Sequence, residues 1–472
     1  LLEKIKLTTF ESSIKHSIKQ FKNMTKVIKL KKGLDIRLQG KPQPKLASAK
    51  LSSGYALKPS DFPGLTPKLS AKVDQDVKAG TELFSDKYNP EVKYTSPVSG
   101  KVVAVNRGER RRILEVVIES DGKNESLDFT KANPLQLSKE DITKNLLESG
   151  NWTFIRQRPY AIVANPQHSP KSIFVSTFDS APLAPDYQFI LQDKMDTFQT
   201  GINAISKLTS GKTYLGLDAK ITNNIFDRTE NAEKVYFDGP HPAGAVGVQI
   251  HHLDAVNKGE VVWYVNVQDV VNIGHLFLTG KVNFERTIAI CGSEVKDPQY
   301  HKCIIGAGLK ELLHEKTLGE NNRIISGNVL SGSKVSADNY LGFYDSQLTV
   351  IPEGNEPELF GWATPGFGKF SMSRSFLSWL TPNKEYRLDS NLRGGHRPFV
   401  VTGQYEKVVP MDILPVHLLK AIIIEDIDLM EQLGIYEIAE EELALCEVVC
   451  TSKTPVQAIV RKGIELMIKE FN

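Results

Sequence analysis

YTSPVSGKVVAVNRGERRRILEVVI, residues Tyr94 to Ile118, is the most readable stretch of this 472-residue chain. Pro97-Val98-Ser99-Gly100 makes a turn, because proline fixes φ and glycine releases it. Lys101 to Val105 then alternates its side chains as a strand does, and Leu114 to Ile118 returns as a second strand. Arg107 to Arg112 forms the basic tip between them. The same texture, Gly and Pro punctuating β-branched runs, reaches back to Ile28 and on to about Gly122. It predicts a β-rich domain over residues 27–122.

Beyond that domain the periodicity changes. After a linker from Asp121 to Ser138 the pattern predicts a helix at Lys139 to Ser149 and a strand at Lys171 to Thr177. A helix around Lys194 to Leu208 and a strand at Thr213 to Leu217 follow. Strands alternating with helices give an α/β domain, placed at 123–285. From Arg286 to about Lys334 come the strand RTIAICG, a turn at Asp297-Pro298, an apolar strand, a helix from Leu309 to His314, and RIISGNVLSG. Strand–strand–helix–strand in one short unit suits a β-grasp at 286–335. Residues 336–410 return to strands, and 411–472 are helical. One helix runs from Leu414 to Leu433, opened by Pro415 and stopped by Gly434, and a second covers about Glu440 to Val449. The last is N-capped by Thr454, with Pro455 at its first position. The predicted fold class is thus multidomain α+β.

Composition narrows the function classes. With 40% hydrophobic and 24% charged residues the chain is globular, and a formal charge of +2 is not that of a nucleic-acid binder. Four cysteines, Cys291, Cys303, Cys446 and Cys450, without a secretory signal point to a reducing compartment. No apolar run approaches the length that spans a bilayer. Charge is uneven, however: residues 1–32 hold nine Lys against two Glu. Phe10, Ile14, Ile18 and Phe21 fall there at helical spacing, as in a basic helix lying on an anionic membrane.

The Tyr94–Ile118 hairpin resembles the barrel-sandwich hybrid of biotinyl and lipoyl carrier domains, where "PVSG" opens the second half of a folded repeat. Those carriers modify a lysine in a DK-A turn. Here Asp86-Lys87 lies thirteen residues before Gly100 and is followed by Tyr88-Asn89-Pro90 instead of small residues. A swinging-arm carrier with an adduct on Lys87 is therefore one reading, and a solvated hairpin lysine the other.

A more extensive resemblance is carried by FDGPHPAGAVGVQIHHLDAV (Phe237 to Val256), with ISGNVLSG, LFGWATPG and LALCEVVC, and covers essentially Ile28 to Asn472. The chain is similar to the A subunits of sodium-translocating NADH:quinone oxidoreductases. It is more remotely similar to the C subunit of the Rnf electron-transport complex and to the NADH-binding flavoprotein subunit of respiratory complex I. Chains of the family begin at Met followed by Ile, Lys and a Leu-like residue, and Val27-Ile28-Lys29-Leu30 stands in that place. This suggests that residues 1–26 are an extension, disordered or upstream sequence translated in error.

Departures from the family's relatives bear on cofactors. Flavin-binding relatives carry a GxGGAGFP-like loop whose backbone amides approach a phosphate. The matching stretch here, Gly150 to Pro159, holds the bulky Trp152 and Phe154. The relatives' acidic N-x-x-E-x-E-P segment is reduced to Ser176-Thr177-Phe178-Asp179-Ser180-Ala181-Pro182. Only Cys446 and Cys450 remain of a ferredoxin-like C-x2-C-x2-C-x3-C-P run, at helical i, i+4 spacing. The sequence therefore predicts no FMN, NADH or iron–sulfur cluster on this chain and no tightly bound redox cofactor.

The remaining candidate site is Gly239-Pro240-His241-Pro242-Ala243-Gly244-Ala245-Val246-Gly247. A quinone needs an apolar slot and a donor to its carbonyls, which His241 or helix amides near Gly244 and Gly247 supply. His241, Gly239, Gly244, Gly247 and His251 are thus quinone-binding candidates, against a rigid turn with a hydrogen-bonded His241. No metal site is expected, since no acid or Cys has ligand spacing and His251-His252 would point to opposite faces of a strand. Gly327 to Gly332 reads as a turn, and WATPGFG with Trp379 as an apolar recess or core. The resemblance implies a peripheral subunit on the cytoplasmic face of a bacterial inner membrane. Its partners would be the other subunits, mainly a membrane-embedded one, and quinone. A scaffold that clamps those subunits while quinone binds elsewhere is the alternative.

Overall fold

Strands Gly100–Arg107 and Ile113–Ser120 pair antiparallel around a tip at Glu109–Arg111, as the alternation predicts. Gly100 has φ +151, and a Cβ there would come within 2.0 Å of the Glu119 carbonyl oxygen, so the turn requires glycine. With Gly54–Leu57 and Asp76–Val77 these strands form a four-stranded sheet beside a three-stranded one of Pro67–Leu69, Glu82–Asp86 and Lys93–Thr95. Val102, Val116 and Ile118 share one buried core with Leu83, Phe84 and Tyr94. This computed structural model describes residues 26–47, 52–355, 358–361 and 363–471. The Phe10–Phe21 helix, the start of the 1–26 extension and Trp362 lie outside the described residues.

The next layer is a seven-stranded sheet. In spatial order its strands are Val27–Lys29, Glu233–Asp238, Lys212–Asp218, Ser172–Ser176, Val262–Val265, Ile155–Arg158 and Ile162–Val163. The first five run parallel; Ile155–Arg158 is antiparallel to both neighbours. A parallel sheet must be covered on both faces, and alternation sorts its residues between two cores. Ile173, Val175, Leu215 and Trp263 belong to the core shared with the barrel. Phe174, Val235, Phe237 and Tyr264 belong to the core shared with the C-terminal helices. Helix Lys139–Ser149 is capped by the Ser138 hydroxyl, which accepts from the Asp141 N–H, and ends at Gly150 with φ +79.

Strands Glu285–Cys291 and Gln299–Ile304, helix Leu309–Leu313 and strand Asn322–Ser326 follow in the predicted order. They belong to a six-stranded mixed sheet completed by Ser333–Val335, Gln347–Pro352 and, at the far edge, Gln43–Ala47.

Three expectations need correction. His251 and His252 lie in helix Val246–Asp254, not in a strand. Val246, Val248 and Ile250 mimic a two-residue period because the helix is buried between the sheet and the C-terminal helices. The Leu414–Leu433 helix is two, Pro415–Ile423 and Ile427–Gln432, broken where Glu425 takes φ +59 and Asp426 caps the second. The 336–410 segment holds one named strand after Val335, Gln347–Pro352, among the described residues. Beyond it the described residues hold no named strand, and Tyr386 touches Leu38 through a bridge.

Candidate functional site

The parallel strands end at a cavity. From Ser172–Ser176 the chain passes to Lys212–Asp218 on one side, while Val262–Val265 pairs on the other. At such a switch point the loops leaving the carboxyl ends diverge and open a crevice. Here the crevice is a cavity of about 660 Å3 lined by Phe178 and Asp179 after the first strand and by Asn266 after the second. The barrel contributes Asp61, the six-stranded sheet the Ser326–Ser333 loop and Phe343–Gln347, and the C-terminal helices Glu441 and Arg461. Four parts of the chain thus meet around one space.

The GPHPAG loop closes one side. Gly244 lines the cavity, and a Cβ there would meet the Ser180 nitrogen at 2.6 Å. The Gly244 N–H donates to Ser180 Oγ at 2.8 Å, and that hydroxyl lies 3.0 Å from His241 Nδ1. Ser180 Oγ thus ties the Gly244 amide to the His241 ring and engages its Nδ1. The His241 N–H donates to Asp35 Oδ1 at 2.8 Å, fixing the loop to the N-terminal segment. Burial pushes the His241 imidazole down to about 4, so it is neutral at pH 7.

The other residues singled out in the sequence lie elsewhere. A Cβ at Gly239 would strike Leu30 at 2.7 Å, and one at Gly247 would strike Glu442 Oε1 at 2.1 Å. The group beside the start of helix Val246–Asp254 is therefore a glutamate carboxyl of the C-terminal helices. His251 Nδ1 is 2.6 Å from Glu437 Oε2, and its Nε2 accepts from the Asp412 N–H at 2.9 Å, which pins it to that domain. The Gly327–Gly332 stretch, read as a turn, lines the cavity.

Sequence reasoning did not find Arg156, Tyr264, Tyr344 or Asp345 as site residues, though all four line the cavity. Burial pushes Asp61 up to about 6 and raises Asp179 and Asp345. Asp269 is pushed up to about 6 by burial, against the pull of the fully buried Arg286 that it contacts. These carboxyls therefore hold protons more readily than ordinary ones. At the boundary with the C-terminal helices, buried Arg158 donates from Nη2 to Glu441 at 2.6 Å and to Glu442 at 2.9 Å.

The stretch that aligns with the relatives' glycine-rich loop is packed solid. Trp152 and Phe154 are fully buried, the Trp152 indole N–H donates to the Ala164 carbonyl at 2.7 Å, and its ring meets Trp263 edge-on. A pyrophosphate cradle of open amides does not fit there. Cys446 and Cys450 are buried free thiols; Cys450 Sγ accepts from the Tyr405 hydroxyl at 3.0 Å and the Thr454 N–H at 3.2 Å. Among the described residues no cluster of three or more His, Cys, Asp or Glu could hold a metal. No helix among them is long and apolar enough to cross a membrane.

The architecture is that of an α/β domain with a switch-point cavity, flanked by a barrel-sandwich domain and C-terminal helices. Family models agree: residues 28–121 match the NqrA N-terminal barrel-sandwich hybrid domain, 137–282 the NqrA second alpha/beta domain and 287–337 the NQRA C-terminal domain. The A subunit of the Na(+)-translocating NADH-quinone reductase of Photorhabdus laumondii is 40% identical over 450 residues, covering 94% of this chain and all of that one. The corresponding subunits of Neisseria meningitidis (38%) and Vibrio atlanticus (39%) each cover 94% of this chain and all of their own length. The chain belongs to the family of Na(+)-translocating NADH-quinone reductase A subunits.

Proposed function

We propose that this chain is a peripheral subunit of a sodium-translocating NADH:quinone reductase and that the switch-point cavity receives the quinone. The observation that carries the reading is the cavity itself. It joins aromatic walls, Phe154, Phe178 and Phe343, to a neutral imidazole held at Nδ1 by Ser180. A quinone ring is flat, uncharged and accepts hydrogen bonds at its carbonyls, which suits such a lining. The strand order supports a Rossmann-type parentage for the second domain, and strand–strand–helix–strand a β-grasp for the third. The filled Gly150–Pro159 stretch argues against FMN or NADH, and the two packed thiols against a cluster. Association with a membrane-embedded partner on the cytoplasmic face then supplies membrane contact. The scaffold reading is favoured by a different feature, the exposed apolar strip of Leu414, Ile423, Ile424 and Leu429.

Titrating the isolated full chain with a soluble para-benzoquinone, followed by tryptophan fluorescence, tests this. Trp152 lies two residues before cavity-lining Phe154, and Trp263 immediately precedes cavity-lining Tyr264. The expected result is saturable quenching at micromolar concentration, weakened about tenfold in His241→Ala as one buried donor is lost. Absence of saturable binding would leave the chain a scaffold.

A further inference from the structure

Arg156 is one of the cavity-lining residues with a buried polar atom that has no partner. Its guanidinium carbon lies 4.7 Å from the centre of the Tyr344 ring and 5.0 Å from that of Tyr264, so aromatic rings brace the cation. The Tyr344 ring is held by its hydroxyl, which donates to the Thr153 carbonyl at 2.7 Å. Among the described residues Arg156 makes one side-chain hydrogen bond, from Nη2 to the Ala161 carbonyl at 3.3 Å. Nε is buried with no partner, and so is the hydroxyl of Tyr264, a residue only 6% exposed. Buried donors of this kind are costly to leave unmade, and a guanidinium offers five N–H groups. Two orphaned donors on adjacent side chains lining one cavity mark the seat of an acceptor oxygen.

The surrounding charge says what kind of acceptor. Asp61, Asp179 and Asp345 line the same cavity. A pyrophosphate or other multiply charged anion brought to Arg156 would face these acids, whereas a neutral carbonyl or a single oxyanion would not be repelled comparably.

We infer that Arg156, braced between Tyr264 and Tyr344, seats a ring carbonyl oxygen of the quinone, with the Tyr264 hydroxyl as second donor. This rests on the quinone reading above and assigns the principal polar contact to Arg156. His241, whose Nδ1 is already bonded to Ser180, takes a subsidiary place.

The test is the same quinone titration on full-length Arg156→Met, which keeps bulk and removes the donors, and on Tyr264→Phe, which removes one hydroxyl and leaves the ring packed. Loss of a charged donor should weaken binding by about tenfold to a hundredfold in Arg156→Met, and loss of the hydroxyl by about threefold to tenfold in Tyr264→Phe. Inorganic phosphate at millimolar concentration should not compete. Wild-type binding that persists within twofold in both variants overturns the assignment while sparing the quinone reading. If Arg156→Met fails to fold, unchanged affinity in Tyr264→Phe overturns it alone. Competition by phosphate would replace the carbonyl with an oxyanion ligand and overturn the assignment too. No saturable binding by the wild-type chain removes the quinone reading and this inference together.

Discussion

Arg158→Ala should destabilise the protein by about 3–5 kcal/mol, because removing the buried guanidinium leaves the Glu441 and Glu442 carboxyls it hydrogen-bonds without that partner. The Arg158 side chain is fully buried between Glu441 and Glu442, and Glu442 is fully buried as well. The second Glu442 oxygen accepts from the Ala439 N–H at 2.8 Å, so the carboxylate cannot swing away to water. This cluster fastens the C-terminal helices to the seven-stranded sheet and so holds one wall of the cavity. Urea denaturation at pH 7 is the measurement, with Lys212→Ala, an exposed partner of Glu233, as a control expected to leave the midpoint close to that of the wild type. The cluster also carries a pH dependence. Burial pushes Glu442 up to about 8, above its ordinary 4.5, so the folded state holds a proton that the unfolded state releases. That contribution is fully present below about 4.5 and is lost as pH rises through about 8. Stability of the wild type should fall across that window, and Glu442→Gln should flatten the fall. A loss below about 1 kcal/mol in Arg158→Ala would show that the helices dock by apolar packing alone.

The second large effect is expected at the cavity floor. Arg286 and Asp269 are fully buried and paired, and Asp269 Oδ2 has no hydrogen-bond partner. Arg286→Met keeps most of the volume but strands the carboxyl, which should cost about 3–5 kcal/mol, whereas the double change with Asp269→Leu should recover most of the loss. Burial raises Asp269 against the pull of Arg286, and losing Arg286 raises it further, so the single variant should recover part of its stability as pH falls and the stranded carboxyl takes a proton. A double-variant loss equal to the sum of the losses of Arg286→Met and Asp269→Leu alone would mean that the two side chains act independently.

Local chemistry made much of the fold readable. The hairpin at Gly100–Ser120 follows from turn residues and alternation, and helix Lys139–Ser149 from a serine cap and a terminal glycine. Where tertiary contacts override local pattern, reading failed. Helix Val246–Asp254 looked like a strand because neighbours bury successive residues Gly247 to Ile250, which erases the one-sided stripe of a surface helix. The break at Glu425 was hidden inside the apolar run of Ala421 to Ile424, although Asp426 carried the cap signal.

The cavity was less legible. The GPHPAG loop stood out because its prolines and glycines dictate an unusual backbone, and His241 and Gly244 do line the space. Arg156, Tyr264 and Tyr344 are single residues in ordinary strand and loop text, separated by up to 188 positions along the chain. Only the strand order brings them together. Gly247 and His251 sat in the same conspicuous motif, yet their close neighbours Glu442 and Glu437 belong to the C-terminal domain.

Photolabelling tests most directly whether this chain itself holds a quinone at the switch point. The full chain would be irradiated with an azido-substituted para-benzoquinone and the modified peptides mapped. Label is expected on Phe178–Ala181, the Ser326–Ser333 loop or Phe343–Gln347, and unmodified quinone should suppress it. Label confined to the Leu414–Leu433 surface, or unaffected by competing quinone, would contradict a quinone site in the cavity.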